Sequence, residues 1–452
     1  MAAPAHPDLL DYLDQAMFLG LRATGQAAVM QCIWIYQRAV DLDGVHRFHR
    51  NFGRGLAGRR IEPSPLPFGR HRWASGAPGA LDVGTDPIPR SDVADWLDHR
   101  ARLPIDPQWG PGWHLAVQPL TDGGTVISLV GSHCLADGGG GVLEILNAVN
   151  GTPRTLGHQP VGARTRRRAL AADARQLVRD LPTAGRALRQ ALRTVARDNE
   201  RRRRPIRSAE PRRRDAVPTD HGNVVVASVT CIVAADRWRS RAESLGGNSH
   251  SLLAGFTARL GHRMGRGTGP DGTVALIVPI NDRRSLDDTR ANAVRLGDVR
   301  IDPRRVTTDL SVARADIREA LDRLDRAPDP TLHLLPLIPY VPKRAVGRLA
   351  ETAFGFADQP ASCSNMGVLP AEVARLDGAD ADYVAMRGID RHITRSVLEQ
   401  RSGLLTVVGA QVGAHLSIAV VGYQPGAVNT RAWLADLVAA TLSDFALDGV
   451  GI

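Results

Sequence analysis

Lysine is almost missing from this chain: of 57 basic residues, Lys343 is the one lysine and the rest are arginine. So one-sided a preference reads as compositional bias of the source genome, because lysine serves phosphate contacts as well as arginine does. Cysteine is scarce too. Cys32, Cys134, Cys231 and Cys363 stand far apart, with no CxxC spacing, which excludes a disulfide framework and a cysteine-based metal cluster. Aromatics make up only 4%, so burial falls mainly on Val, Leu, Ile and Ala. No long apolar run is present. The best candidate span, 403–423, contains Gln411 and His415 and alternates as strands do. The amino-terminal stretch carries Asp11 and Asp14 and lacks the basic start of a secretory leader. A reduced, cytoplasmic protein is the expectation.

What is present is length and apolar content. With 452 residues, 43% of them hydrophobic, the chain exceeds what one core usually supports, so two lobes are expected. Net charge is +10, but it is local. Residues 161–215 hold 18 arginines against six acids, leaving about −2 for the remainder. Within that segment Leu170, Ala174, Leu177, Val178 and Leu181 form one apolar face. Leu188, Ala191, Leu192 and Val195 continue it beyond Pro182, where a kink or break is expected. The run 201–214 has no such stripe and reads as loop.

The rest alternates between helical and strand periodicity. Helices are expected at 1–20, at 41–58, at 91–101 with Ser91 as cap, at 249–264, near 310–325 and at 430–445. Strands are expected at 113–120 and 125–131 around a TDGG turn, at 224–234 and 273–282, and as a pair across 403–421. ASCSNMGVLP (361–370) reads as a strand end and turn.

The strand at 125–131 is apolar on both faces and should be central. It runs into SHCLADGGGG (132–141), with a helix expected from Gly141, beyond the first glycines. His133 stands where a central strand opens into glycine-rich backbone, with Asp137 four positions on. A neutral imidazole there can take a proton from a hydroxyl, amine or thiol near pH 7. Asp137 could orient the ring, or pair with an arginine and hold the turn closed. The glycines lack the GKS or GKT of a phosphate loop, and Leu143 breaks GxGxxG phasing. No HExxH accompanies them. Cys134 is the weaker nucleophile candidate, since neighbouring strand residues point to opposite faces.

SHCLADG resembles the HHxxxDG signature of the chloramphenicol-acetyltransferase-like acyltransferases. This superfamily includes wax ester synthase/diacylglycerol acyltransferases, polyketide-associated acyltransferases and the condensation domains of nonribosomal peptide synthetases. His133, Asp137 and Gly138 match the signature, and Ser132 replaces its first histidine. YLDQAMFLG (12–20), VPINDRR (278–284), RANAV (290–294), SNMG (364–367) and the strands of 403–421 are similar to other family segments in order and spacing. No DFGWG-like segment is recognisable around 383–388.

The resemblance implies an α/β protein of two lobes, each a mixed sheet flanked by helices, forming a V around a central channel. The expected division is 1–160, an Arg-rich interlobe segment 161–215, and 216–452. It implies that His133 acts as general base on an acceptor attacking an acyl-CoA or phosphopantetheine thioester, the thioester being substrate, with no cofactor or metal. Gly138, Ser364 and Asn365 are the implied oxyanion surroundings. Asp137 is implied to be structural and paired with Arg283 or Arg284. An alcohol acceptor is preferred over an amine. The alternatives are a stand-alone condensation enzyme, or a catalytically weakened relative that binds a carrier or acyl ligand. The Arg-rich segment reads as a solvated linker, an anionic-membrane contact or a site for an acidic carrier protein; without aromatic interleaving it is not a nucleic-acid reader.

Overall fold

The computed structural model describes residues 8–202, 222–267, 271–326, 332–342, 345–346 and 360–452. Two sheets organise the chain. The first has the order β11-β1-β6-β5-β4. Its members are β1 (Ala27–Tyr36), β4 (Ala80–Val83), β5 (Trp113–Pro119), β6 (Thr125–Ser132) and β11 (Tyr383–Arg391); β2 (Arg59–Glu62) and β3 (Arg72–Ser75) form a separate ribbon. The second has the order β14-β7-β13-β12-β10-β8-β9. It comprises β7 (Ala227–Ala234), β8 (Val274–Asn281), β9 (Val294–Ile301), β10 (Ala361–Leu369), β12 (Leu404–Val412), β13 (His415–Tyr423) and β14 (Val450–Gly451). Both sheets are mixed: β4–β5, β10–β12 and β10–β8 pair in parallel, the other pairs antiparallel.

The helices are α1 (Tyr12–Thr24), α2 (Leu42–Phe52), α3 (Val93–Arg102), α4 (Gly138–Val149), α5 (Arg166–Arg202), α6 (Ala235–Ser244), α7 (Ser249–Arg263), α8 (Ser311–Arg326), α9 (Arg395–Gln400) and α10 (Arg431–Asp444). The first sheet is covered on both faces. Trp34, Trp113 and Leu115 pack with Phe48 and Phe52 of α2 and Ile145 of α4, while Ile33, Ile35 and Val126 pack with Val93 and Leu97 of α3. The second core joins Phe256 and Leu252 of α7 and Leu434 of α10 to Leu276, Val407 and Ile418. Burial on both faces explains why β6 and β13 read as nearly continuous apolar runs.

The sheets are tied by buried polar groups. Arg387 of β11 donates to Gln31 of β1 (2.7 Å) and to Ser228 of β7 (2.9 Å), and pairs with Asp98 of α3 (2.9 Å). A late strand therefore completes the edge of the early sheet and meets the second one.

Several local expectations need correction. α4 starts at Gly138, within the glycines rather than beyond them, because Asp137 caps it by accepting the N–H of Gly140 at 2.6 Å. Ser91 does not cap α3. It sits in a short 3₁₀ turn (Arg90–Asp92), its hydroxyl on Asp92, and α3 begins at Val93. The 41–58 helix stops at Phe52. The SNMG stretch is not a terminal turn but a register irregularity inside β10, between Asn365 and Val368, with Gly367 at φ 71°. α5 continues through Pro182 as one helix. Its buried positions are Ala169, Asp173, Ala184 and Ala187, whereas Val178, Leu181, Leu188 and Leu192 face solvent. Small residues and a paired aspartate form the packed side; the apolar stripe lies beside it, with Leu170, Leu177 and Ala191 partly buried and the four residues just named exposed. Val195's side chain, segment 203–221 and Lys343 lie outside the described residues. No helix among the described residues is long and apolar enough to cross a membrane.

Candidate active site

His133 follows the last residue of β6, and its backbone N–H donates to Ala28 of β1 at 3.0 Å. That bond extends the β1–β6 register by one row, placing the His133 side chain on the face that carries Ala28 and Met30. Ser132 belongs to the opposite face with Val29; its hydroxyl accepts from the Cys134 N–H at 3.3 Å. Cys134 is packed among Leu10, Phe18, Trp73 and Ala291. Burial pushes its thiol up to about 12, so no nucleophilic thiolate is available there near neutrality.

The ring of His133 is held from another part of the chain. Its Nδ1 lies 2.9 Å from Oδ1 of Asn292, 159 residues later. The Asn292 amide nitrogen donates to the His133 carbonyl (3.2 Å) and to Asp14 Oδ1 (3.0 Å). Both partners are acceptors, so the amide cannot be flipped, and its oxygen must face the ring. Nδ1 therefore carries the proton and Nε2 keeps its lone pair.

Asp14 anchors this arrangement from α1. It is fully buried and also accepts the N–H groups of Ala291 (3.1 Å) and Asn292 (2.8 Å). Burial raises its carboxyl to about 6, against the opposing pull of the Arg59 guanidinium and these hydrogen bonds. Arg59 is itself buried over the Trp73 ring and donates to the carbonyls of Leu135 and Thr289. Desolvation lowers it to about 10, still charged at neutral pH.

Asp137 makes no hydrogen bond with the His133 ring. One oxygen accepts from Arg283 (2.7 Å) and Gly140; the other accepts the Ala293 N–H at 2.7 Å. Arg283 also donates to the carbonyls of Asp288, Arg290 and Ala291. The pair staples the 133–137 turn to the 282–293 loop that carries Asn292. Arg284 instead offers its backbone N–H to Asp288. A methyl group on Gly140 would come 2.5 Å from the Arg283 guanidinium, and one on Gly138 would meet Met366 of β10 at 2.9 Å. Those two glycines allow close approach from the second half of the chain.

A cavity of about 310 Å³ opens beside His133, its walls drawn from both sheets: Ala28 and Asp390 from the first, Ile277, Ser362 and Thr406 from the second. Ser364 and Asn365 lie along β10 outside this lining, with Asn365 Oδ1 accepting the Gly367 N–H at 2.9 Å. Sequence reasoning did not assign Asn292, Asp14 or Asp390 to the site. RANAV marked the neighbourhood of Asn292, but nothing local shows that its amide reaches His133.

Neither a protein-family model nor a curated protein sequence matches the chain. Solved structures do. The first condensation domain of the calcium-dependent antibiotic synthetase, in complex with a substrate analogue, superposes with a TM-score of 0.57 at 16% identity, over 97% of this chain and 96% of that one. The wax ester synthase/diacylglycerol acyltransferase from Marinobacter aquaeolei VT8 gives 0.52 at 13%, over 97% and 98%. The starter condensation domain of rhizomide synthetase, a mutant form in a product-released conformation, gives 0.52 at 12%, over 97% and 94%. The chain thus shares the fold of these condensation domains and of the wax ester synthase/diacylglycerol acyltransferase.

Proposed function

We propose that this protein is an acyltransferase that moves an acyl group from acyl-CoA, or from a carrier-bound pantetheine thioester, to an alcohol, with an amine as the second choice. The observation that carries the reading is the orientation of His133. Asn292 occupies its Nδ1 proton and leaves Nε2 basic at the wall of a cavity between two sheets. In the proposed step Nε2 takes the acceptor proton as the acceptor oxygen attacks the thioester carbonyl. A tetrahedral oxyanion forms, then collapses as the C–S bond breaks. The departing thiolate takes the proton back from Nε2. The proposed oxyanion donors are the Gly138 N–H at the start of α4, with Ser364 and Asn365 approaching from β10.

The proposed architecture is a V-shaped body whose lobes, 1–160 and 216–452, enclose a channel, with 161–215 between them and β11 crossing from the later lobe to the edge of the first sheet. Ser132 is proposed to tune packing behind the histidine. Asp137 is proposed to act through Arg283 on the loop bearing Asn292, as a positioning residue.

For the partner, one surface feature favours an anionic membrane over an acidic carrier protein. Val178, Leu181, Leu188 and Leu192 are at least half exposed along α5, and Arg175, Arg179, Arg186, Arg189 and Arg193 fall along one side of that strip. Vesicles of phosphatidylglycerol should sediment the protein, phosphatidylcholine should not, and Val178→Asp with Leu188→Asp should release it. Retention on a carrier protein without vesicle binding would favour the other partner.

Donor type is tested by product mass after incubation with CoA-bound and carrier-bound acyl groups. Transfer only from carriers would favour a stand-alone condensation enzyme. Binding without transfer from either would favour a weakened relative.

A further inference from the structure

The first sheet places a carboxylate in line with His133. Asp390 of β11 is directly opposite Ala28 of β1, and Ala28 is also the residue whose carbonyl holds the His133 N–H. Residues directly opposite in antiparallel strands share a face, so Asp390, Ala28 and His133 form one row. The next row is Gly388, Met30 and Gly131. A side chain added at Gly388 would meet nothing within 4 Å. The floor between carboxylate and imidazole is therefore low: the methyl group of Ala28, with Met30 between two glycines in the row beyond. Two strand spacings put the outer Cβ atoms roughly 10 Å apart. Ala28 is exposed although it lies within a central strand, and all three residues line the cavity.

Asp390 has no hydrogen-bonded partner among the described residues. Arg401 is on the same cavity wall, but one of its nitrogens is directed to Gln26 Oε1 at 3.2 Å. Desolvation raises the Asp390 carboxyl, with Arg401 and His133 acting against it. A recessed carboxylate without hydrogen bonds is unfavourable unless a ligand supplies a donor, and a cationic donor does so best.

We infer that Asp390 is a specificity residue of the acceptor subsite, selecting acceptors that carry an ammonium group a few carbons from the nucleophilic hydroxyl. The inference rests on the acyltransferase reading for the identity of the nucleophile, but binding tests it separately. Asp390 accepts from the ammonium, the hydroxyl reaches Nε2 of His133, and the connecting methylenes cross Ala28.

The test is calorimetric titration of the full chain with aminopropanol, aminopentanol, propanol and pentanol. Aminopentanol should bind wild type and His133→Ala at least about tenfold more tightly than pentanol, as a charge-assisted hydrogen bond implies. Asp390→Asn should erase that preference. Asp390→Glu, which keeps the charge and reaches one methylene further, should retain the amine preference and shift it toward aminopropanol. Equal binding of aminopentanol and pentanol by wild type would overturn the inference. So would an amine preference that survives Asp390→Asn. Binding as expected without turnover would count against the acyltransferase reading alone.

Discussion

Asn292 Oδ1 lies 2.9 Å from Nδ1 of His133, and the same amide's nitrogen is committed to Asp14 and to the His133 carbonyl. This one residue sets the tautomer of the ring and joins three distant parts of the chain. Asn292→Ala should lower kcat by about ten- to a hundredfold, less than loss of the base itself, because the imidazole stays and only its orientation and tautomer are released. Nitrogen NMR of His133 should show the proton on Nδ1 in wild type and both tautomers in the variant. A wild-type ring protonated on Nε2 would contradict the assignment.

Asp14 makes stability depend on pH. Its carboxyl titrates near its ordinary value of 3.8 when unfolded and at about 6 when folded, mainly through burial. The folded state thus binds more protons between those values. The contribution is fully present below about 4 and is lost as pH rises through about 6. Urea midpoints measured across that window should fall with rising pH in wild type relative to Asp14→Asn. Arg59 and the hydrogen bonds from Ala291 and Asn292 hold the ionised form, which bounds the loss. Parallel profiles for the two proteins would remove Asp14 as the cause.

The Asp137–Arg283 pair is buried on both sides and depends on Gly140. Arg283→Ala leaves Asp137 without its counter-charge and should destabilise by about 3–5 kcal/mol. Gly140→Ala forces the guanidinium aside and should cost about 1–3 kcal/mol. Because both act on one contact, the double variant should cost less than the two single losses together. Strict additivity in denaturant unfolding would show that Gly140 and Arg283 are independent.

Cys134 adjoins His133 in sequence but is sealed in a core. Cys134→Ala should retain transfer, and iodoacetamide should leave Cys134 unmodified in the folded protein. Rapid labelling with loss of transfer would reopen it as a nucleophile.

Local pattern carried part of this structure. The apolar run of 125–131 and the glycines after it located the centre of the first sheet and the turn bearing His133, because burial on both faces leaves no polar alternation. β11 was not legible: YVAMRGIDR mixes buried Arg387 with open Gly388, and its partner strand is about 350 residues away. The same distance hid Asp390. β4 was lost in the Pro- and Gly-rich stretch before residue 89, where turn signals outweigh a four-residue strand. In α5 the helical period was legible but the buried side was not, since alanines and an aspartate paired with Arg72 and Arg164 form the packed line.

The central claim, that His133 Nε2 moves the acceptor proton, is tested most directly by thiol release from a panel of short to long acyl-CoAs. Mixed alcohols and amines serve as acceptors, product mass is followed, and wild type runs beside His133→Ala. The account predicts acceptor-dependent release in wild type and a loss of at least about a hundredfold in the variant, with unchanged thermal unfolding. Equal release by both proteins would contradict it.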